Sequence, residues 1–287
     1  MNNQKLGTLL ISCPDRQGLV AALAQVLSAH GVNIVDSIQH TDRGAEIFFQ
    51  RIVFDLSEIA TDRDTLGAAI EEVTTRFSMK YRLRFAGENR KKVALFVSKY
   101  DHCLYDLLLR HQMGELDCDI QMIVSNHDAL APVARQFNVP FSLLVKTKET
   151  KAQVEAQELA LLAKNKVDLL VLARYMQILS DDFIRKFSGD IINIHHSFLP
   201  AFMGGRPHHR AHERGVKLIG ATAHYATADL DEGPIIEQDV IRCSHRDEVS
   251  DLVRKGRDLE KIVLARAVRA HLDDRVLAYD NKTIVFE

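Results

Sequence analysis

The apolar pattern changes character near residue 90, and that change limits the folds open to this chain more than any other feature. Before it, apolar residues come in short alternating runs; from Val93 onward they come in continuous blocks separated by helical stretches. Alternation marks strands with one face in water, whereas unbroken apolar runs mark strands covered on both faces, the condition of a parallel sheet. One sheet cannot satisfy both patterns, so the chain divides. Its 287 residues allow this, at ~100–200 residues per domain.

In the first part, 8–12 is an apolar run and Pro14-Asp15-Arg16-Gln17-Gly18 is turn chemistry. Residues 19–29 carry apolar side chains at helical spacing and stop at Gly31. Val32-Asn33-Ile34-Val35 reads as a second strand, Asp42-Arg43-Gly44 as a turn, 45–56 as a third strand, 62–77 as a helix and 81–85 as a closing strand. The order βαββαβ predicts an α+β domain over 1–86, an antiparallel sheet with two helices on one face. The polar stretch Gly87-Glu88-Asn89-Arg90-Lys91-Lys92 marks the boundary.

The second part, 91–287, alternates apolar strands at 93–97, 120–124, 141–145, 167–173 and 191–195 with helices at 103–110, 129–137, 149–164 and 181–187. A long helix at 247–271 follows, and 283–286 is short enough to be a terminal strand. This is an α/β domain with a mostly parallel open sheet, whose ligands are expected beyond the carboxyl ends of the strands.

Charge excludes some functions. Lys and Arg number 37 against 39 Asp and Glu, and both parts carry a formal charge near −1, so nothing marks a nucleic-acid partner. Cys13, Cys103, Cys118 and Cys243 form no CxxC pair, which points to reduced thiols rather than disulfides or structural zinc. No apolar run reaches the ~18 residues of a membrane span, and the apolar opening stops at Cys13-Pro14-Asp15. A cytoplasmic protein is expected.

Asn193 and His195 end a strand and, two residues apart, face the same side. The segment 220–225 reads as a neighbouring strand, and the loop 226–233 after it carries Asp229, Asp231 and Glu232. A carboxylate there would orient the imidazole or hold a water as nucleophile, so amide, imidazole and carboxylate together suit chemistry at a neutral carbonyl. A satisfied strand histidine and turn-forming aspartates are the structural alternative. The histidines at 195, 196, 208, 209, 212 and 224 invite a metal, and His208 and His212 would share a helix face. Glu213 follows the second of that pair instead of the first, so the HExxH arrangement is absent and no metal is expected. Ser98-Lys99-Tyr100-Asp101-His102, after the first strand of the second part, has no glycine to cradle a phosphate; Gly204-Gly205 reads as a flexible turn.

Asn193-Ile194-His195-His196-Ser197-Phe198-Leu199-Pro200 resembles a hallmark of the formyl-folate transferase family. His224-Tyr225-Ala226-Thr227-Ala228-Asp229-Leu230-Asp231-Glu232-Gly233-Pro234 resembles its second hallmark. The resemblance implies that Asn193, His195 and Asp231 are catalytic. It also implies that Met176, Gln177, Ile178 and Leu179 line a folate pocket closed by Thr227 and Asp229. Residues 1–85 resemble an ACT domain, which implies an amino-acid effector near Asp15, Gly18, Leu19, Asn33 and Ile34, and a homo-oligomer formed through these domains. ACT ahead of a formyl-folate domain is similar to the folate hydrolases that release formate. By that resemblance the substrate is 10-formyltetrahydrofolate, with no cofactor and no metal, and the formate serves purine synthesis and the balance of one-carbon folates. The alternatives are transfer of the formyl group to an amine and an amino-acid sensor without catalysis. The missing phosphate loop favours water as acceptor.

Overall fold

The computed structural model describes residues 5–87, 90–201 and 206–287; Gly204-Gly205 and the linker residues 88–89 lie outside the described residues. The chain forms two compact units. One comprises 1–89 together with Asp274–Leu277 and Ile284–Glu287; the other comprises Arg90–Asp273 and Ala278–Thr283. The C-terminal stretch, expected to belong wholly to the second part, is therefore divided. Within the first unit, Asp274 is 2% exposed and needs cationic partners. It has them in Arg82, at 3.6 Å, and Arg84, while Arg51 Nε donates to its carbonyl at 2.9 Å.

The first unit runs β1 (Leu6–Pro14), α1 (Leu19–Ala29), β2 (Asn33–Asp42), β3 (Ile47–Asp55), α2 (Arg63–Arg76) and β4 (Lys80–Phe85). Its sheet is antiparallel in the order β2-β3-β1-β4. Leu9, Ile11 and Cys13 project from one face of β1 into a core shared with Leu23, Leu27, Leu66 and Ile70. Asp62 caps α2 by accepting the Thr65 N–H at 2.7 Å. Two boundaries differ from expectation. Cys13 and Pro14 continue β1, paired to Phe48 and Ile47; Pro14 is tolerated as the last residue, where its missing N–H costs least. β2 spans ten residues instead of four, because this edge strand is mostly exposed and Ile38 alone carries an apolar signal beyond Val35.

The second unit contains β5 (Lys91–Val97), α3 (His102–Gln112), β6 (Cys118–Ser125), α4 (Ala131–Gln136), β7 (Phe141–Leu143), α5 (Lys151–Lys164), β8 (Leu169–Leu172), α6 (Asp181–Lys186) and β9 (Asp190–His195). It continues with α7 (Pro207–Arg214), β10 (Leu218–Tyr225), β11 (Ile235–Arg242) and α8 (Val249–Leu272). The seven-stranded order is β11-β10-β9-β8-β5-β6-β7. Strands β5 to β9 are parallel, and β10 lies antiparallel between β9 and β11. Neither α7 nor β11 was singled out from sequence: Ile235–Arg242 mixes exposed and buried positions along the sheet edge. Lys91 and Lys92, read as linker, begin β5 opposite Cys118 and Asp119. The last strands, β12 (Val276–Tyr279) and β13 (Lys282–Val285), form their own two-stranded sheet.

Alternate residues of the central strands feed opposite layers. Ala94 and Phe96, with Met122, Val124, Leu170 and Leu172, pack under Phe183 and Leu162. Phe96 and Phe183 are fully buried, each contributing about 1.5–3 kcal/mol by leaving water. Strand order reverses between β5 and β8, so the loops after them part and open a crevice, with β9 as the next strand along. That crevice is where the motifs converge.

Candidate active site

β9 delivers Asn193 and His195 to the crevice, and β10 runs beside it with Thr222 opposite His195 and His224 opposite Asn193. The turn after β9 is tied down by Thr222, whose hydroxyl donates to the Ser197 carbonyl at 2.9 Å and accepts the Leu199 N–H at 3.0 Å. After β10 the chain folds back on itself, and the Tyr225 N–H donates to the Pro234 carbonyl at 2.9 Å. A Cβ on Gly233 would collide with the Tyr225 carbonyl oxygen, so only glycine permits this reversal. Asp231, at φ 59°, occupies the left-handed region, a cost of order 1–3 kcal/mol that aims its carboxylate inward.

The three residues expected to carry the chemistry meet there. Asp231 Oδ1 lies 3.1 Å from His195 Nδ1 and 3.8 Å from His224 Nε2. Burial raises the Asp231 pKa, but the His195 hydrogen bond and the neighbouring imidazoles outweigh it and hold the carboxyl below its ordinary value. Asp231 is thus ionised, Nδ1–H of His195 donates to it, and the Nε2 of His195 is left without a hydrogen-bond partner among the described residues.

His224, noted in the sequence only as one of several histidines, sets the amide. Its Nδ1 donates to the Tyr225 carbonyl at 3.0 Å, and its Nε2 lies 3.2 Å from Asn193 Nδ2. Burial lowers its pKa, which keeps it neutral. Nε2 is therefore an acceptor, and the Asn193 NH2 must turn toward it, with its second N–H left for a ligand. The signal was available: a histidine directly across a strand pair from Asn193 is its nearest side-chain partner.

A cavity of about 530 Å³ surrounds these groups, within the range of small-molecule sites. Met176, Gln177, Ile178, Leu179, Thr227 and Asp229 all line it, together with Leu172, Ile184 and Ala226. Met176 and Ile178 are 53% and 60% exposed, apolar surface available to a flat ring. The loop bearing them is fixed at both ends from beneath. Tyr175 Oη donates to Glu158 at 3.0 Å, Ser180 N donates to Glu155 at 3.2 Å, and Lys146 Nζ sits 2.8 Å from Glu158. Burial raises the Glu158 pKa against the pull of Lys146. This ionic layer was overlooked; the signal was a pair of glutamates among apolar residues on a helix three positions apart.

Metal ligation has little support in the donor set. Of the proposed pair on α7, His208 is buried and His212 exposed. Among the described residues, His102, Cys103 and Glu260 come close enough to share an ion. However, Arg174 Nε stands 3.3 Å from Glu260, and burial raises the Cys103 pKa well above its ordinary value. Glu260 is thus already paired with the guanidinium of Arg174 and the ring of His102, an arrangement that suits an ion pair better than a bound cation.

In the first unit, Asp15, Gly18 and Asn33 are exposed, and Gly18 caps α1 at φ 88°. The Leu19 side chain is 2% exposed and belongs to the core, and Ile34 packs against that core. At Leu19 only the backbone is open to an effector, because the apolar side chain is needed under the sheet.

Residues 91–268 match the formyl transferase family and residues 7–71 match the ACT domain. The chain is 54% identical to a formyltetrahydrofolate deformylase from Synechocystis over 97% of its length and 98% of that relative's. It is 40% identical to the one from Escherichia coli K12, over 99% and 100%. The crystal structure of a formyltetrahydrofolate deformylase from Pseudomonas syringae superposes with a TM-score of 0.96 at 44% identity, covering 100% of this chain and 96% of that one. A glycinamide ribonucleotide transformylase from Symbiobacterium toebii reaches 0.66 at 27% identity, covering 72% and 98%. With ACT and formyl transferase regions in one chain, and full-length relatives at this identity, the chain belongs to the formyltetrahydrofolate deformylase family.

Proposed function

We propose that this chain hydrolyses 10-formyltetrahydrofolate to formate and tetrahydrofolate. The observation that carries the reading is the 3.1 Å contact of His195 with an ionised Asp231, beside an Asn193 amide whose orientation His224 dictates. Water adds to the N10-formyl carbon, a C–O bond forms, and its proton passes to His195 Nε2. Asp231 stabilises the resulting imidazolium. The carbonyl oxygen becomes an oxyanion and takes the free Asn193 N–H, a contribution of about 3–4 kcal/mol for such a donor. As the intermediate collapses, the C–N bond breaks, Nε2 returns its proton to N10, and formic acid gives up its own to solvent. No metal or redox cofactor enters these steps.

The pteridine lies along Met176, Gln177, Ile178 and Leu179 with Thr227 and Asp229 opposite. Water is favoured over an amine by the loop after β5. Ser98 Oγ donates to Asn126 at 2.6 Å and accepts the Met176 N–H at 3.0 Å, and the loop brings the Tyr100 side chain to the cavity wall and has no glycine to offer a phosphate bare backbone.

The ACT region binds a small-molecule effector. An amino acid is the reading we favour, its carboxylate at the free N–H groups of α1 beside Asp15 and Gly18, with Asn33 and Ile34 nearby. The edge strand β2, with Val35 47% exposed, suits pairing with a second copy to form a homo-oligomer. No helix among the described residues is long and apolar enough to cross a membrane, and the near-neutral charge offers nothing to nucleic acid. We place the reaction in the cytoplasm, balancing one-carbon folates and supplying formate for purine synthesis. Formate and tetrahydrofolate released in equal amounts, with no amine added, test the reading; release that requires an amine acceptor would replace it with transfer.

A further inference from the structure

The cavity does not end at His195. Its lining continues through His196, whose ring lies 5.2 Å from that of His195, to His208, 6.1 Å further. Around this end stand Tyr100, Arg174, Arg257 and Glu260. Two guanidiniums lie close to the Tyr100 ring, Arg174 at 5.0 Å and Arg257 at 5.6 Å from its centre. Arg174 is 10% exposed, and its Nε lies 3.3 Å from Glu260 without a well-formed hydrogen bond. The same Glu260 oxygen also takes the His102 ring at 2.8 Å. Glu260 is therefore shared by Arg174 and His102, while Arg257 has no carboxylate partner among the described residues, so two guanidiniums line this end against one carboxylate. An exposed guanidinium with no carboxylate of its own, beside a second guanidinium on the wall of the same cavity, is suited to take up a small anion.

The mechanism above uses none of these side chains, yet the reaction makes an anion. Formate forms beside Asp231, a like charge, while the folate half of the cavity is still filled by tetrahydrofolate. The way past His195 and His196 leads to the guanidiniums. His196 itself adds no positive charge, since burial, and after it the charge of Arg174, hold it neutral.

We propose that the arginine-lined end of the cavity is a subsite for a small carboxylate, which receives formate from the His195 side and holds it on Arg174 and Arg257. The inference rests on the hydrolytic reading. It makes formate leave by a route separate from folate, and Arg257, exposed on α8, stands where that route meets solvent.

The test is a titration of the full chain with sodium formate, against sodium chloride at equal ionic strength and against inorganic phosphate, followed by calorimetry. Formate should bind saturably, Arg257→Ala should weaken it by tenfold or more, and Arg257→Lys should recover part of the loss. Arg254→Ala, an exposed arginine on the same helix paired with Asp251, should leave formate affinity unchanged. In steady state, formate should lower kcat without raising KM, because the folate half stays free. Absence of saturable formate binding, binding of phosphate alone, equal losses in Arg254→Ala and Arg257→Ala, or formate competing with folate would each overturn the subsite. A chain that hydrolyses its substrate but fails these tests loses only the subsite; one that never releases formate from the folate loses the reading beneath it as well.

Discussion

Replacing His224 by leucine isolates the role of a residue that touches no substrate. His224 is 2% exposed and holds two hydrogen bonds, one to the Tyr225 carbonyl and one from Asn193 Nδ2. Leucine fills most of the space and supplies neither. The Asn193 amide then loses the acceptor that decides which of its ends faces the oxyanion. A net hydrogen bond contributes about 0.5–1.5 kcal/mol, so kcat should fall about 3- to 10-fold, short of the 10²-fold or more that follows loss of the donor itself. The oxyanion exists only in the transition state, so KM should hardly move. The assay is initial-rate formate production in a double-mutant cycle with Asn193→Ala, each variant checked for a cooperative thermal transition. In the Asn193→Ala background there is no amide to orient, and His224→Leu should then cost little more than experimental scatter. An equal loss in both backgrounds would refute the reasoning and move the role of His224 to Asp231 or to the fold.

Asn193→Ala, His195→Ala and Asp231→Asn should each lower turnover by about 10²-fold or more with an intact fold, whereas Asp229→Asn, on the exposed rim, should be milder; near-normal rates would remove the residue concerned from the mechanism. His196 is pushed down to about 3 by burial and then by Arg174, so its contribution to stability is present above its unfolded value near 6.5 and drains as pH falls below that. The loss is at most about 1.4 kcal/mol per pH unit. The urea midpoint should therefore drop between pH 7 and pH 5, above the range where the lowered carboxylates Asp231 and Glu260 contribute their own loss; His208 and His224, also lowered by burial, share in that drop, so His196→Phe should reduce its slope without abolishing it, and an unchanged slope would contradict the assignment. Some amino acid should alter formate release by the full chain, and Gly18→Val, which strains a φ of 88° at the start of α1, should abolish the response; a screen in which no amino acid has an effect would leave the ACT region an assembly role only.

What the sequence disclosed follows from where the signal lies. Continuous apolar runs at β5, β6, β8 and β9 are legible because both faces are buried; Asn193 and His195 stood out because strand geometry puts them on one face, and Asp231 was distinguished from its neighbouring loop carboxylates by the resemblance to the family hallmark. β11 and the far half of β2 escaped because exposed edge strands carry mixed side chains. His224 and the Glu155–Glu158–Lys146 layer escaped for a different reason: their importance lies in pairings between distant segments, which no local pattern encodes. Leu19 divides between two roles, its side chain buried in the core and its backbone at the start of α1 the part an effector could reach. The division of the C-terminal stretch depends on Asp274, whose arginine partners lie nearly two hundred residues earlier.

The central claim is that water, activated at His195 Nε2, attacks the formyl carbon. Single turnover of 10-formyltetrahydrofolate in H2¹⁸O, with hydroxylamine present as a competing nucleophile and formate analysed by mass spectrometry, tests it most directly. The account predicts one ¹⁸O in each formate, no formohydroxamate above the uncatalysed background, and a collapse of the single-turnover rate in His195→Ala. Formate without the label, formohydroxamate as the main product, or an undiminished single-turnover rate in His195→Ala would contradict it.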